Sequence, residues 1–116
     1  MPALNYQERF AALVETGQKR QTIRLWRKRP FQVGDRLYHY TGMRTKACRK
    51  LLESRCIEAT PIMIDGVCVC IDGGIPLTEP KRDKLARADG FEHYAEMEAW
   101  FEATHTMPFS GQLIRW

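Results

Sequence analysis

Two hydrophobic periods alternate along the chain, and each predicts a different kind of element. Residues 6–16 are predicted to form a helix. Asn5 and Glu8 form a capping pair at its start, Gly17 ends it, and its apolar face has helical spacing, with Phe10, Leu13 and Val14. Residues 21–26 alternate instead, with Ile23 and Leu25 on one face, which is typical of a half-buried strand.

The middle of the chain is rich in strand patterns. Residues 36–41 predict a second strand, after the turn that Pro30 and Gly34-Asp35 mark. Residues 56–64 and 67–71 flank Asp65-Gly66, a strong hairpin signal, so these two strands are expected to pair. The stretch 46–52 fits either a strand or a helix.

Helical patterns return in the last third of the chain. Pro80 opens a short charged helix that runs toward Ala88, where Asp89-Gly90 ends it. A longer amphipathic helix ends near His105, and its apolar face is marked by Tyr94, Met97, Trp100 and Phe101. Residues 109–116 are short and apolar enough to form a closing strand.

This order of elements predicts the fold class. Strands do not alternate with crossover helices, which excludes a doubly wound parallel sheet. We expect an α+β fold, a small β-barrel with helices at its rim, in a single domain that spans residues 1–116.

Charge and composition narrow the partners and the compartment. The net charge is +4, with much of the positive charge between Lys19 and Lys50, so either an anionic partner or a solvated basic face is expected. No apolar run approaches the ~18 residues of a membrane span, and the first ten residues carry an acid where a signal peptide would be apolar. We therefore expect a cytoplasmic protein without a membrane partner, whose four cysteines are reduced thiols.

One segment concentrates reactive side chains at the entry to a strand. In an extended 21–26, Thr22 and Arg24 share a face, and Lys19 reaches the same end from the preceding loop. By itself this spacing also fits ordinary turn and strand residues.

Three short motifs along the chain, one of them in this segment, match the pattern of a known family. The frame G-x-K-x-x-T-I-R over 17–24, the turn 33–35 and Asp89-Gly90-Phe91 resemble the ASCH branch of the PUA-like superfamily over nearly the whole chain. Within that family the chain is similar to small bacterial amidohydrolases that remove acyl groups from N4-acetylcytidine. The resemblance implies a PUA-like barrel, with Lys19 and Thr22 as activator and nucleophile. The family's third group is a glutamate, for which Asp89 is the nearest position and Glu92 the alternative.

Amide hydrolysis would use these groups in distinct roles. Lys19 could act as a base only if its pKa, about 10.4, fell by about three, which corresponds to about 4 kcal/mol. Otherwise it stays charged and holds the oxyanion while Asp89 handles protons. The residues expected to contact a modified nucleoside or nucleobase are Arg24, Trp26, Tyr40 and Arg44, with Trp116 as a further aromatic.

Other chemistries receive less support from the sequence. Cys68 and Cys70 form a short pair without a second one, and the three histidines are scattered, so we expect neither a metal nor a cofactor. Two functions remain as alternatives, since the resemblance also covers RNA binders: a non-catalytic RNA-binding module and an ASCH ribonuclease. RNA is then the partner in place of a free nucleoside.

Overall fold

The computed structural model describes residues 3–66 and 68–116, which form seven strands and three helices. In chain order these are β1 (Ala3–Tyr6), α1 (Glu8–Glu15), β2 (Gln21–Leu25), β3 (Arg36–Thr41), β4 (Arg49–Arg55), β5 (Glu58–Ile64), β6 (Val69–Ile71), α2 (Glu79–Ala88), α3 (Tyr94–Thr104) and β7 (Phe109–Arg115). None of the described helices is long and apolar enough to cross a membrane.

The first sheet has the order β1-β3-β4 and contains a strand that the sequence did not predict. Strand β1 pairs in parallel with β3, and β3 pairs antiparallel with β4. The predicted Asn5 cap is wrong, because Asn5 is extended within β1 and its Oδ1 accepts a hydrogen bond from the Met43 backbone N–H at 3.0 Å. Helix α1 therefore starts later than expected, with Gln7 at its N-cap.

The second sheet has the order β2-β7-β5-β6, with antiparallel neighbours throughout. The predicted hairpin is confirmed, because β5 and β6 pair with Ile62 opposite Ile71 and Ile64 opposite Val69. Val67, the first residue of the predicted strand, lies outside the described residues. The ambiguous stretch 46–52 is resolved in favour of a strand, since β4 covers Arg49–Arg55.

Strand β7 lies at the centre of the core and holds β2 in place. It pairs with both β2 and β5, and Leu113 and Ile114 are both fully buried although they point to opposite faces. Gly111 allows an unusually close approach of the two strands, because a Cβ atom there would lie 2.0 Å from the Arg24 carbonyl oxygen. The position of β2 therefore depends on a residue without a side chain.

The α+β class is confirmed, and the small PUA-like barrel stays a prediction. In residues 3–66 and 68–116 the strands form a three-stranded and a four-stranded sheet, and no closed barrel is found. Alternation within each strand gave no signal for closure, because an inward face looks the same in a barrel and in two packed sheets. The four cysteines are free thiols.

Candidate active site

A cavity of about 480 Å³ lies where the two sheets meet α1 and the ends of α2 and α3. Its wall combines aromatic and charged groups, with Tyr6, Phe10, Phe91 and Trp100 among the former and Lys19, Arg24 and Asp89 among the latter. Thr22 supplies a hydroxyl to the same cavity. The structure thus brings together Lys19, Thr22, Arg24 and Asp89, which are separated by up to 70 residues.

Lys19 and Asp89 form a buried pair at one side of the cavity. The Lys19 Nζ donates to the Asp89 backbone oxygen at 2.5 Å and lies 3.3 Å from Asp89 Oδ1. Asp89 is the C-cap of α2, and the following Gly90 has a φ of +101°, a left-handed conformation that lets the chain turn away. The end of α2 is therefore built around the lysine amine.

Burial dominates the electrostatics of this pair. Removal from water lowers the pKa of Lys19, and the charge of Asp89 counteracts that shift only in part. Burial likewise raises the pKa of Asp89, against the opposing effect of Lys19. The Gln21 side-chain amide donates to Asp89 Oδ1 at 3.2 Å and to the Leu85 carbonyl at 3.3 Å, which fixes the carboxyl group against β2.

Thr22 and Arg24 lie on β2 and interact directly. Arg24 Nε donates a hydrogen bond to Thr22 Oγ1 at 2.9 Å, and both residues line the cavity as their shared strand face predicts. The threonine is buried and the arginine half-buried. A guanidinium that donates to Oγ1 stabilises negative charge on that oxygen, so the arrangement favours an alkoxide.

Tyr6 is a member of the site that the sequence analysis missed. Its ring lies 4.8 Å from Arg24 Cζ, and its hydroxyl is 3.0 Å from Nδ1 of the buried His39. Burial raises the pKa of Tyr6 well above its usual 10, and Arg24 opposes the shift. The sequence carried no signal for it, because β1 is four residues long and its partners are distant in the chain.

Two of the predicted nucleoside contacts lie away from this cavity. Tyr40 is half-buried on β3, where fully buried residues alternate with more accessible ones, and it falls on the opposite face from His39. Arg44 is exposed in the turn after β3, at a φ of +66°. Trp26 does line the cavity, just beyond β2, and its Nε1 donates to Ser110 Oγ at 3.3 Å.

The alternative carboxylate, Glu92, and the further aromatic residue, Trp116, both lie outside the cavity. Glu92 is exposed outside the cavity, and its backbone N–H donates to Glu96 Oε2 at 3.4 Å. Of the two candidate carboxylates, Asp89 is therefore the one that lines the cavity. Trp116 packs in the core, 4.4 Å from the His39 ring and 6.3 Å from the Tyr6 ring.

The arrangement combines a hydroxyl, a cation beside it, and a lysine and carboxyl pair whose burial favours the neutral forms. Such a set can attack an electron-poor carbon, stabilise the resulting oxyanion and exchange protons. In residues 3–66 and 68–116, no three His, Cys, Asp or Glu side chains are grouped so that they could hold a metal ion.

Comparison with known proteins adds no relative to this picture. No protein-family model, no curated protein and no solved structure matches the chain. The ASCH resemblance therefore stays a prediction that depends on the motifs at 17–24, 33–35 and 89–91.

Proposed function

We propose that the protein is a metal-independent amidohydrolase that removes the acyl group from N4-acylated cytidine or cytosine. The observation that supports this proposal is the convergence of Lys19, Thr22, Arg24 and Asp89 on one cavity. These are the residues to which the motif resemblance assigns nucleophile, activator and carboxylate, with Arg24 as the added cation.

The proposed reaction begins at Thr22. Its Oγ1 attacks the acyl carbonyl carbon and passes its proton to Lys19, while Arg24 stabilises the tetrahedral oxyanion. The bond from the carbonyl carbon to N4 then breaks, and protonated Lys19 returns the proton to the departing nitrogen. Water hydrolyses the acyl-threonine, which releases a carboxylic acid and restores the hydroxyl.

The electrostatics support Lys19 as the base. Burial lowers the pKa of its amine, as this role requires. Its hydrogen bonds go to Asp89, so the proton must reach it from Thr22 through a bound water or after a side-chain shift on substrate binding. Asp89 holds the amine in the cavity, and its charge opposes the lowering of the amine pKa by burial.

The cavity wall suits a flat acylated base. Phe10, Phe91 and Trp100 form an aromatic cluster with ring centroids 5.4 to 6.2 Å apart. Trp26 offers a further ring at the mouth, where about half of its surface is exposed. Stacking of a base on an aromatic ring contributes about 1–3 kcal/mol.

The test is hydrolysis of N4-acetylcytidine by the wild type and two variants of Thr22. Thr22→Val keeps the β-branched shape and deletes the nucleophile, so turnover should fall by orders of magnitude, whereas Thr22→Ser should retain part of it. Loss of the buried hydroxyl should cost only about 1 kcal/mol of stability. Thr60→Val is the matched control, because Thr60 Oγ1 bonds Glu58 on β5 outside the cavity.

The outcomes separate the proposal from its rivals. A folded Thr22→Val with near-wild-type turnover would leave attack by water, oriented by Lys19 and Asp89, as the better mechanism. No hydrolysis by any variant would favour the RNA-binding module, for which the exposed Trp26 and the neighbouring Arg27 at the cavity are the supporting observation. Such a module binds RNA with a steep salt dependence, and a ribonuclease would leave cleaved fragments.

A further inference from the structure

Tyr6 connects the cavity to a buried chain of hydrogen bonds that the proposed reaction does not use. Its hydroxyl lies 3.0 Å from His39 Nδ1, and His39 Nε2 lies 2.7 Å from Ser54 Oγ. His39 is fully buried, whereas Ser54 is half-buried on β4. The chain therefore runs from the cavity through the first sheet toward the surface.

His39 is neutral at ordinary pH, because burial lowers its pKa to about 4 and the charge of Arg24 adds to the effect. A neutral imidazole has one N–H donor and one acceptor nitrogen. Both nitrogens have a hydroxyl partner, and a hydroxyl can donate or accept, so the tautomer of the ring and the direction of the Tyr6 proton are set together.

The direction of that proton follows from Arg24. The Arg24 guanidinium lies over the Tyr6 ring, with Cζ 4.8 Å from the ring centroid, and a guanidinium only donates hydrogen bonds, so the Tyr6 hydroxyl finds no acceptor on that side. The single Tyr6 proton is then free to go to His39 Nδ1, which leaves Nε2–H to donate to Ser54. In this arrangement the Tyr6 oxygen keeps its lone pairs on the side of Arg24, which in turn bonds Thr22.

We propose that Tyr6 is a positioning residue, oriented by His39 and Ser54, that holds the Arg24 guanidinium and the Thr22 hydroxyl in the geometry needed for attack. This role rests on the proposed amidohydrolase function. Tyr6 does not exchange protons with the substrate. Its ring contacts the guanidinium that bonds Thr22, and the hydrogen bond to His39 keeps the Tyr6 proton turned away from that guanidinium.

Tyr6→Phe separates this role from packing. The ring, and with it the contact to Arg24, is kept, and only the hydroxyl is lost. We expect kcat for N4-acetylcytidine to fall about 10- to 100-fold with KM changed by less than about threefold, because small misplacements of reacting groups have effects of this order. Tyr38→Phe is the matched control, since Tyr38 lies on the opposite face of β3 from His39, beside Lys50.

Substitutions of His39 test the backing of the tyrosine. His39→Asn offers an amide oxygen near the former Nδ1 and should retain more activity than His39→Leu, which offers no acceptor. A purely structural role predicts the reverse order, because leucine fills an apolar site better than asparagine does. Thermal melts of all variants show whether each one folds.

A readout independent of activity is the ¹⁵N NMR spectrum of the His39 ring. At pH 7 the wild type should show a proton on Nε2 and a hydrogen-bonded, unprotonated Nδ1, and Tyr6→Phe should shift the Nδ1 resonance alone. An active wild type with an unchanged Tyr6→Phe, or a proton on Nδ1, would overturn the role of Tyr6 while the proposed function stands. A wild type that hydrolyses no N4-acylated cytosine overturns both.

Discussion

Lys19 and Asp89 face each other out of contact with water, and burial favours the neutral form of each. A charged pair in such a place regains only part of the lost hydration through mutual attraction. Removal of one partner leaves the other buried without compensation. The protonation state of Lys19 therefore depends on its neighbour as much as on its own burial.

This dependence predicts a shift in the pH profile. If Lys19 is the base, kcat/KM rises with pH as the amine loses its proton, with an apparent pKa below 10.5. The charge of Asp89 raises the pKa of Lys19, so Asp89→Asn should move that limb to lower pH, together with a lower plateau. Rates measured from pH 5 to 10 check this, with exposed Glu92→Gln as the control that should leave the limb in place. A shift to higher pH would contradict Lys19 as the base.

His39 predicts a second pH effect, on stability. Burial lowers the pKa of the folded His39 from its ordinary 6.5 to about 4, so the unfolded chain binds a proton between these values and the folded protein does not. This contribution to the free energy of unfolding is present above pH 6.5 and is lost as pH falls toward 4. Urea unfolding at several pH values should show a shallower decline for His39→Asn than for the wild type.

The control for that experiment is His93→Asn. His93 is exposed and caps α3 by accepting the Glu96 backbone N–H at 3.2 Å, a role that asparagine also fills. The decline with pH should match the wild type. Equal slopes for His39→Asn and the wild type would mean that His39 is not held neutral by its burial.

At the scale of elements, β2 carries the reactive groups and β7 sets their position. Thr22 pairs with Ile114 and Arg24 with Gln112 in the antiparallel register. The side chain of Gln112 also bonds both the N–H and the carbonyl of Phe31 at 3.0 Å, which ties the loop after β2 to the same strand. A shift of one residue in this register would turn Thr22 away from the cavity.

Gly111→Ala tests how tightly β2 is held. A Cβ at 2.0 Å from the Arg24 carbonyl oxygen forces the strands apart, so we expect a loss of about 1–3 kcal/mol or more in the free energy of unfolding. Because the displaced residue is Arg24, turnover should fall as well. Gly66→Ala is the control, since nothing lies within 4 Å of its added Cβ. Chemical unfolding of both variants gives the comparison, and equal stability would show that β2 and β7 adapt freely.

At the scale of the whole molecule, the cavity draws on both sheets. Tyr6 belongs to β1 of the first sheet and Thr22 to β2 of the second, while Asp89 comes from the end of α2. The site forms only when the sheets have packed together. Its chemistry, as proposed, uses side chains alone.

The proposed reaction uses only side chains, so metal removal should not affect it. Dialysis against a strong chelator should leave hydrolysis of N4-acetylcytidine unchanged, because no step of the proposed reaction passes through a metal ion. Elemental analysis before and after dialysis confirms that any metal has been removed. Loss of turnover on chelation, with recovery on addition of zinc, would contradict the mechanism.

Local patterns predicted the elements whose partners are close in sequence. The β5–β6 hairpin and helix α2 follow from turn and capping chemistry within a few residues. Strand β1 was missed, because its extended form depends on parallel pairing with β3 more than 30 residues away. The arrangement of the strands in two sheets depends on such distant contacts in the same way.

In the candidate site, too, the sequence predicted some residues and missed those that depend on distant contacts. The motif placed Lys19, Thr22 and Asp89 together, and they do line one cavity. Tyr40 was expected to reach a substrate, but strand parity turns it to the other face of β3. Tyr6 went unnoticed because its interactions with Arg24 and His39 exist only in the folded chain.

The bond from Lys19 to the last turn of α2 bears on how relatives of this protein could be recognised as active or inactive. A related protein that has lost the activity would still need Lys19 and Asp89 for stability. Loss of either residue leaves its partner buried without a counter-charge, and loss of the lysine also leaves the end of α2 without a hydrogen-bond donor. Thr22 is not required for stability in the same way, because valine fits its strand at little cost in free energy. Lys19 and Asp89 would therefore be retained in inactive relatives, whereas a hydroxyl at position 22 would distinguish active relatives from inactive ones.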